Sequence, residues 1–394
     1  MSGQDSVGFL ERSLSLAARG GRATAPNPRV GAVVVAGGEI VGEGWHRRAG
    51  EEHAEVQAIQ AAGSRARGAT LFTSLEPCSH EGRTPPCTSA IVDAGVTRVH
   101  VALIDPDPRV RGRGVEALRQ AAIEVDVAEG AVVAEAERVL EDYLVHRRGG
   151  RAFAVIKVAA TLDGRIADRS RYAAWVTGES ARAHGRALRD RYGALVVGVD
   201  TVLADDPQLL PPTDLAEGGS FLRVVLDRRL RTPPGARLLR HGSWSPVIIY
   251  AAPDAPDERR AALEGAGAEV VQLGLPGQPV SPREVLCDLA RRDVLGAIVE
   301  GGGATHGHFL NARLVDKIHW YLAPAVLGDS RAIAAMRAGR RTLDDAWRFN
   351  IANVARLGDD VVLTLYPAGT GKACSPESSR PSARSRPRGS ARTE

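Results

Sequence analysis

One histidine, two cysteines and one glutamate stand at spacings that suit a catalytic zinc site. His53-Ala54-Glu55 is followed by Pro77-Cys78 and then by Cys87. One imidazole and two thiolates would leave the fourth position of a tetrahedral zinc ion free for water. Zinc lowers the pKa of that water toward ~7, so that a hydroxide is available at neutral pH. Glu55 can then carry protons between the water and a departing group.

The order of these residues is typical of the zinc nucleobase deaminases, in which His-x-Glu precedes Pro-Cys and a second cysteine. Two residues usually separate the cysteines of that class, whereas eight, residues 79–86, separate them here. Other interpretations are two buried thiols or, in a secreted protein, a disulfide. The chain has only four cysteines, and its polar start shows no apolar signal segment. We therefore expect a reduced, cytoplasmic protein that binds one zinc ion per chain.

The composition favours a globular enzyme over a membrane or nucleic-acid-binding protein. Hydrophobic residues make up 44% and charged residues 25% of the 394 residues. No run of about 20 apolar residues would span a membrane. The net charge of +4 equals the surplus in residues 371–394, which hold six Lys/Arg and two acids. We expect a disordered basic tail over 368–394, and an RNA-acting deaminase that uses this tail is the less favoured alternative.

Helical and strand-like segments alternate along both halves, which predicts two α/β domains, the second with a mainly parallel sheet. A basic, Gly-rich stretch at 147–151 marks the expected boundary, so we predict domains over 1–147 and 151–367. Helices are predicted over 6–19, 52–62, 88–94, 114–122, 179–190, 284–291 and 306–314. Strands are predicted over 30–35, 39–45, 70–74, 98–104, 152–159, 194–199, 222–226, 246–250, 294–300 and 318–322.

A glycine-rich segment, residues 299–307, stands where a predicted strand ends and a predicted helix begins. Glycines there would let backbone amides approach a phosphate, and the helix N-terminus adds a favourable dipole. The segment is not the usual dinucleotide fingerprint, because His306 occupies the position of its third glycine. A plain Gly-rich turn is the alternative. Residues 157–164 and 200–207 follow two other predicted strands and would reach the same sheet edge.

Several motifs together resemble the bifunctional riboflavin-biosynthesis deaminase/reductase family over residues 7–366. They are Asn27-Pro28-Arg29-Val30-Gly31-Ala32-Val33, His53-Ala54-Glu55-Val56, Leu75-Glu76-Pro77-Cys78-Ser79-His80, Gly82-Arg83-Thr84-Pro85-Pro86-Cys87, Thr201-Val202-Leu203-Ala204-Asp205-Asp206-Pro207 and Glu300-Gly301-Gly302-Gly303. The eight-residue loop between the cysteines is itself typical of that family. The resemblance implies a cytidine-deaminase-like three-layer α/β/α domain followed by a dihydrofolate-reductase-like α/β domain.

The resemblance implies two consecutive reactions on a small phosphorylated aminopyrimidine. The first is zinc-dependent hydrolysis of the 2-amino group of 2,5-diamino-6-(5-phosphoribosylamino)pyrimidin-4-one. In the second, NADPH reduces the ribosyl chain of the product to a ribityl chain. The expected partners are therefore small molecules, without a membrane or nucleic acid, and homo-oligomerisation is a further hypothesis.

Site residues follow from the resemblance position by position. Glu55 would be the proton donor, and His53, Cys78 and Cys87 would bind zinc. The implied deaminase substrate contacts are Asn27, His46 and Arg83. The implied NADP contacts are Ala159, Trp175, Thr201, Asp205, Gly302, Gly303, Ala304, Thr305, His306, Gly307 and His308. The implied reductase substrate contacts are Arg189, Leu209 and Glu300.

The chain departs from the family pattern mainly in its second half. Ala173 stands where the family usually has Ser, and His184 where it often has Asp. After Pro207 the family usually continues Leu-Thr-Val-Arg, whereas residues 209–212 here read Leu-Leu-Pro-Pro. These departures leave open an alternative interpretation, in which the second half is a weak or repurposed reductase of a flavin-like or pteridine-like pathway.

Overall fold

The computed structural model describes residues 3–82, 85–170, 175–213, 215–241, 245–339 and 342–369. The first half of the chain forms a five-stranded sheet with helices. Its elements are α1 Gly3–Ala17, β1 Gly31–Ala36, β2 Glu39–Trp45, α2 Ala54–Ala62, β3 Thr70–Thr73, α3 Cys87–Asp93, β4 Arg98–Val101, α4 Arg113–Gln120, β5 Glu124–Val127, α5 Ala131–Val139 and α6 Glu141–Gly149.

The first sheet has the strand order β2-β1-β3-β4-β5. β1 pairs antiparallel with β2 and β3, and β3, β4 and β5 run parallel. Glycines let helices approach both faces: a methyl group on Gly31 would collide with α1, and one on Gly44 would collide with α2. Gly44 pairs with Ala32, the residue after Gly31, and successive residues of a strand point to opposite faces. The first half is therefore a three-layer arrangement of helix, sheet and helix.

The second half forms a larger sheet with helices. Its elements are β6 Phe153–Thr161, β7 Arg165–Ala167, α7 Glu179–Arg191, β8 Ala194–Gly198, α8 Val199–Asp205, α9 Leu215–Gly218, β9 Leu222–Leu226, β10 Val247–Ala251, α10 Asp257–Gly265, β11 Glu269–Gln272, α11 Pro282–Arg291, β12 Gly296–Val299, α12 Gly303–Asn311, β13 Lys317–Ala323, β14 Ile333–Ala334, β15 Phe349–Leu357 and β16 Asp360–Pro367.

The second sheet has nine strands in the order β11-β10-β9-β8-β12-β6-β13-β16-β15. The first seven run parallel, and the hairpin of β15 and β16 adds two antiparallel strands at one edge. The prediction of a mainly parallel sheet is confirmed. Because β8, β12 and β6 are neighbours, the segments that follow them meet at one sheet edge, as the sequence predicted.

Helix α6 joins the two halves through buried charged groups. Asp142 of α6 binds Arg29 of the first half at 2.5 Å, and both side chains are 2% exposed. Glu141 accepts hydrogen bonds from Lys317 at 2.8 Å and from Tyr366 at 2.6 Å, both in the second half. Breaking one partner of such a pair leaves an uncompensated buried charge, so the junction resists separation. Within the described residues, no helix is long and apolar enough to cross a membrane.

Candidate active sites

The structure brings His53, Cys78 and Cys87 together beside the first sheet. Nδ1 of His53 lies 3.1 Å from Sγ of Cys87 and 3.6 Å from Sγ of Cys78. All three donor atoms lie within 4.8 Å of one another. Around tetrahedral zinc, with bonds of about 2.0 Å to nitrogen and about 2.3 Å to sulfur, such atoms stand roughly 3.5–3.8 Å apart. The donor types therefore fit a zinc ion, and the two distances from His53, 3.1 and 3.6 Å, lie close to that range.

Two helix starts position these donors. His53 is the residue before α2 and has extended backbone, and Cys87 is the first residue of α3. The backbone N–H of Cys87 donates to Sγ of Cys78 at 3.4 Å. Hydrogen bonds from Cys87 and then from His53 lower the pKa of the Cys78 thiol, although burial opposes this. Both cysteines thus lie near one helix N-terminus, a position that favours the thiolate of Cys78. The hydrogen bond with Cys78, and then burial, raise the pKa of the Cys87 thiol well above its usual range.

Glu55 lies in the first turn of α2, beside the donors without being one of them. Its side chain is buried, and its Oε2 lies 3.7 Å from Sγ of Cys87. Burial raises the pKa of Glu55 to about 7, against the pull of His53. Zinc held by the three donors would supply a water of lowered pKa, and a buried carboxylate at this distance can accept and return its proton.

A small cavity of about 90 Å³ opens beside the donors and is lined by Asn27 and His46. His46 Nδ1 lies 3.2 Å from the carbonyl oxygen of Glu52, and its Nε2 lies 3.1 Å from Nδ2 of Asn27. Burial lowers the pKa of His46 to about 4, so the ring is neutral near pH 7. Nδ1–H then donates to Glu52, and Nε2 accepts from the Asn27 amide. Arg83, the third implied contact, lies outside the described residues.

Glu76 fixes the segment that carries Cys78. Its carboxylate accepts backbone N–H groups of Gly114 at 2.8 Å, Gly112 at 2.9 Å and Val115 at 3.2 Å, around the start of α4. A carboxylate is stabilised at a helix N-terminus by the exposed N–H groups and by the helix dipole. Glu76 belongs to one of the family motifs, but the sequence did not predict a role for it. Its place directly before Pro77-Cys78 was the only signal.

The second cavity, of about 360 Å³, lies at the carboxyl ends of β8, β9 and β12. It is lined by seven of the eleven predicted NADP contacts, which are Thr201, Asp205, Gly302, Gly303, Ala304, Thr305 and His308. Gly302 precedes α12 with extended backbone, and a methyl group on it would meet no atom within 4 Å. A methyl group on Gly303 would instead collide with the carbonyl oxygen of Ala334. Gly302 thus leaves room for a ligand, and Gly303 lets α12 pack closely.

Three arginines that the sequence analysis did not select line the same cavity, namely Arg228, Arg231 and Arg337. Arg231 binds Asp200 at 2.9 Å, and Arg228 binds Asp254 at 3.1 Å. Guanidinium groups bind phosphate oxygens well, so they suit the anionic parts of a dinucleotide. The sequence could have indicated two of them, because Arg228 and Arg231 lie within five residues of the end of β9, at the ligand-binding edge of the sheet.

The remaining four predicted NADP contacts do not line this cavity. His306 is buried, its Nδ1 lies 2.9 Å from the carbonyl oxygen of Ala335, and burial lowers its pKa to about 4. Gly307 packs against the backbone of Arg337. Ala159 lies in β6, and Trp175 is 72% exposed with Arg182 stacked 4.3 Å from its ring centroid. A cofactor role for these four residues stays a prediction.

The three implied reductase substrate residues lie near one another. Arg189 binds Glu300 through two hydrogen bonds of 3.0 and 2.8 Å and donates a third, of 2.8 Å, to the carbonyl oxygen of Leu210. Leu209 is buried with φ of 60°. Burial alone would raise the pKa of Glu300, but Arg189 and Lys157 bring it below its ordinary value. Glu300 is therefore ionised near pH 7, directly before the glycines that border the cofactor cavity.

Two further polar side chains face each other beside that ion pair. His184 Nδ1 lies 2.7 Å from the hydroxyl of Tyr321, and Lys157 Nζ lies 5.8 Å from the centroid of the Tyr321 ring. His184 is one of the departures from the family pattern, and the structure gives it a defined partner. Ala173, the other departure at a single position, lies outside the described residues.

Comparison with known proteins supports both halves. The cytidine and deoxycytidylate deaminase zinc-binding region matches residues 4–103, and the RibD C-terminal domain matches residues 152–363. The riboflavin biosynthesis protein RibD of Aquifex aeolicus is 37% identical over 358 residues, which cover 90% of this chain and 96% of that protein. The structure of Acinetobacter baumannii RibD superposes with a TM-score of 0.82 at 36% identity, covering 92% of this chain and 99% of that one.

A second solved structure, from Thermotoga maritima, superposes with a TM-score of 0.80 at 31% identity and covers 92% of this chain and 99% of that one. It is described as a diaminohydroxyphosphoribosylaminopyrimidine deaminase/5-amino-6-(5-phosphoribosylamino)uracil reductase. The predicted fold class, a cytidine-deaminase-like domain followed by a dihydrofolate-reductase-like domain, is confirmed. The chain belongs to the RibD family of riboflavin biosynthesis, bifunctional enzymes that join a zinc-binding deaminase domain to an NADPH-dependent reductase domain.

Proposed function

We propose that this chain deaminates 2,5-diamino-6-(5-phosphoribosylamino)pyrimidin-4-one and then reduces the product with NADPH. The observation that carries the proposal is the presence of two built sites in one chain. One is a His-Cys-Cys donor set with a buried carboxylate beside it, and the other is a cavity at a glycine-rich helix start, lined by three arginines. The aminopyrimidine of the substrate suits the first site, and the phosphates of NADPH suit the second.

In the proposed first reaction, water adds to C2 of the pyrimidine and the 2-amino group leaves as ammonia, so that a carbonyl replaces it. Glu55 accepts the proton of the attacking water and delivers it to the departing amino group. His53, Cys78 and Cys87 hold the zinc. Asn27 and His46 line the cavity in which the pyrimidine would lie, and Arg83 is retained as a third contact from the family resemblance.

In the proposed second reaction, NADPH gives a hydride to C1′ of the ribosyl group. The bond between C1′ and the ring oxygen breaks, and that oxygen takes up a proton to become a hydroxyl of the open ribityl chain. The cofactor would lie against Thr201, Asp205 and the start of α12, with Arg228 and Arg231 available to its phosphates. The substrate would lie against Arg189, Leu209 and Glu300. The glycines that follow Glu300 join the two binding regions, so hydride donor and acceptor would meet there.

The domain limits also stay proposals, with a deaminase domain over 1–147, a reductase domain over 151–367 and a basic tail over 368–394. Residues 370–394 of that tail lie outside the described residues. We also propose that the chain forms a homo-oligomer and acts without a nucleic-acid partner.

A coupled assay tests the proposed function. Purified protein is given the diaminopyrimidine substrate, and ammonia release and NADPH oxidation are followed together. We expect one NADPH to be oxidised for each ammonia released. Cys78→Ser should block both signals with this substrate, yet oxidise NADPH normally when supplied with 5-amino-6-(5-phosphoribosylamino)uracil. Ammonia release without NADPH oxidation in the wild-type protein would show that the second half has been repurposed.

A further inference from the structure

Arg22, in the deaminase half, reaches into the reductase half. It lies in a short 3-10 turn, Arg22–Thr24, and its side chain is fully buried. Its Nη1 binds Oδ1 of Asp190 at 2.5 Å, and its Nη2 donates to the carbonyl oxygen of Thr213 at 3.0 Å. Its Nε donates to the carbonyl oxygen of Gly219 at 3.3 Å. One guanidinium therefore binds three residues of the other half.

The residues that receive these bonds adjoin the implied reductase substrate contacts. Asp190 follows Arg189 on α7, and its carboxylate also accepts the hydroxyl of Thr213 at 2.7 Å and the backbone N–H of Thr213 at 3.3 Å. Arg189 holds the carbonyl oxygen of Leu210 at 2.8 Å. The segment over 209–213 is thus bound to α7 by the side chains of Arg189 and Asp190, and Asp190 is in turn bound by Arg22.

The fit around Arg22 is close. A methyl group on Gly218 would collide with the guanidinium, and one on Gly219 would lie 2.7 Å from Cα of Ala23. Arg48, also from the deaminase half, donates to the carbonyl oxygen of Glu217 at 2.8 Å. A buried arginine that loses its partners, or carbonyls that lose their donor, carries the full cost of desolvation. The segments over 209–213 and 215–219 are therefore stabilised in their present path by side chains of the deaminase half.

We propose that Arg22 is a positioning residue of the reductase, which fixes Arg189 and Leu209 from across the domain junction. The inference rests on the proposed function, because Arg189 and Leu209 are its substrate contacts. The deaminase half thereby completes the reductase substrate site without touching the substrate. None of these three partners of Arg22, namely Asp190, Thr213 and Gly219, lines the cofactor cavity, so its effect should fall on the substrate and not on NADPH.

The test measures kcat and KM for NADPH-dependent reduction of 5-amino-6-(5-phosphoribosylamino)uracil by the full chain. Arg22→Ala should raise KM by roughly tenfold or more, the effect of losing charge-assisted hydrogen bonds. Arg22→Lys keeps the charge but cannot make the same three hydrogen bonds, so its KM should lie between those of the wild type and Arg22→Ala. NADPH affinity and ammonia release should stay near wild type in both variants. An unchanged KM in Arg22→Ala would overturn the inference.

The matched control is Arg12→Ala, which removes an arginine that binds Glu43 at 2.6 Å within the deaminase half. It should leave the reductase KM unchanged. A raised KM in this control, equal to that of Arg22→Ala, would mean that any lost ion pair in the first half has the effect, and would overturn the inference.

Asp190→Asn approaches the same contact from the reductase half and keeps the shape of the side chain, so it serves if Arg22→Ala does not fold. The double variant should be no worse than the poorer single variant, because both remove one interaction. Fully additive effects would overturn the inference. Glu300→Gln distinguishes a failure of this inference from a failure of the proposed function. If both Glu300→Gln and the Arg22 variants leave reduction unchanged, the proposed substrate site is wrong. If Glu300→Gln impairs reduction while the Arg22 variants do not, only the role of Arg22 fails.

Discussion

The deaminase site and the reductase site are built in opposite ways. The first takes its chemistry from three side-chain donors within 4.8 Å of one another, set by the starts of two helices on one small sheet. The second is a cavity of about 360 Å³ bordered by strand ends and loops that range from Ile166 to Arg337. A site made of side-chain donors can be predicted from residue types and their spacing. A cavity that forms between strand ends and loops from distant parts of the chain can be located mainly from the fold.

Removing a zinc donor should have the largest effect, because it should abolish one activity and leave the other. Cys78→Ser and Cys87→Ser should each lose zinc and deamination by more than the ~10–100-fold that loss of an outer partner of a ligand costs. Reduction of the deaminated intermediate should persist, because the second cavity contains neither cysteine. Elemental analysis and the ammonia assay measure this. Cys287→Ser, which changes a cysteine of the second half, is the control. Full zinc occupancy in both donor variants would refute the ligand assignment.

Replacing the buried carboxylate should leave the metal and stop most of the chemistry. Glu55→Gln keeps size and hydrogen bonding but cannot carry a proton, so deamination should fall by about 10²–10⁴-fold with zinc retained. Ammonia release and zinc content on the same preparation test this. Glu51→Gln, an exposed change on the same segment, should behave as wild type. Near-normal ammonia release by Glu55→Gln would assign the proton transfer to another group.

Neighbouring glycines should give different failures at the reductase site. Gly302→Val would place two methyl groups in open space beside the cofactor cavity and should raise the NADPH dissociation constant by at least roughly tenfold. Gly303→Ala would collide with the backbone at Ala334, so its main effect should be a lower melting temperature. Ammonia release should change little in Gly302→Val. NADPH fluorescence titration beside thermal melts distinguishes these outcomes. Unchanged NADPH affinity in Gly302→Val would place the dinucleotide elsewhere.

The smallest expected effect is at the arginines of the cofactor cavity. Arg228→Ala should weaken NADPH binding by about tenfold or less, because the group is partly exposed and its interaction is screened by solvent. The weakening should diminish as salt is raised, whereas that of Gly302→Val should not. Titrations at two salt concentrations measure both. Equal NADPH affinity in Arg228→Ala, Arg231→Ala and wild type would show that the phosphates bind at other groups.

The sequence predicted the donor set and most of the strands that position it. β2 and β9 begin and end where predicted, and α3 begins at Cys87, one residue before the predicted start at 88. The hairpin of β15 and β16 was not predicted, because β15 lies at a sheet edge with most of its residues exposed, so it lacks the apolar run of a buried strand.

The predicted NADP contacts illustrate a second limit. The resemblance implies a continuous run over 302–308, whereas consecutive side chains of an α-helix point about 100° apart, so the side chains of this run do not all point into one cavity. In the structure the start of α12 and His308 line the cavity, whereas His306 and Gly307 pack on the segment around 335–337. Helical geometry thus decides which residues of the run line the cavity, and a cofactor role for His306 and Gly307 stays a prediction.

The bonds that Glu76 makes to the start of α4 bear on how the distance between the cysteines can vary. Cys78 is held by a segment anchored outside the loop, and Cys87 is held by the helix that it begins. Loop-closure entropy grows slowly with length, at about 0.6 kcal/mol for each doubling. An insertion between two independently fixed ends therefore costs little and does not displace either donor. Eight intervening residues can thus serve where two are more usual, which makes this loop a place where the family could acquire substrate contacts without rebuilding its metal site.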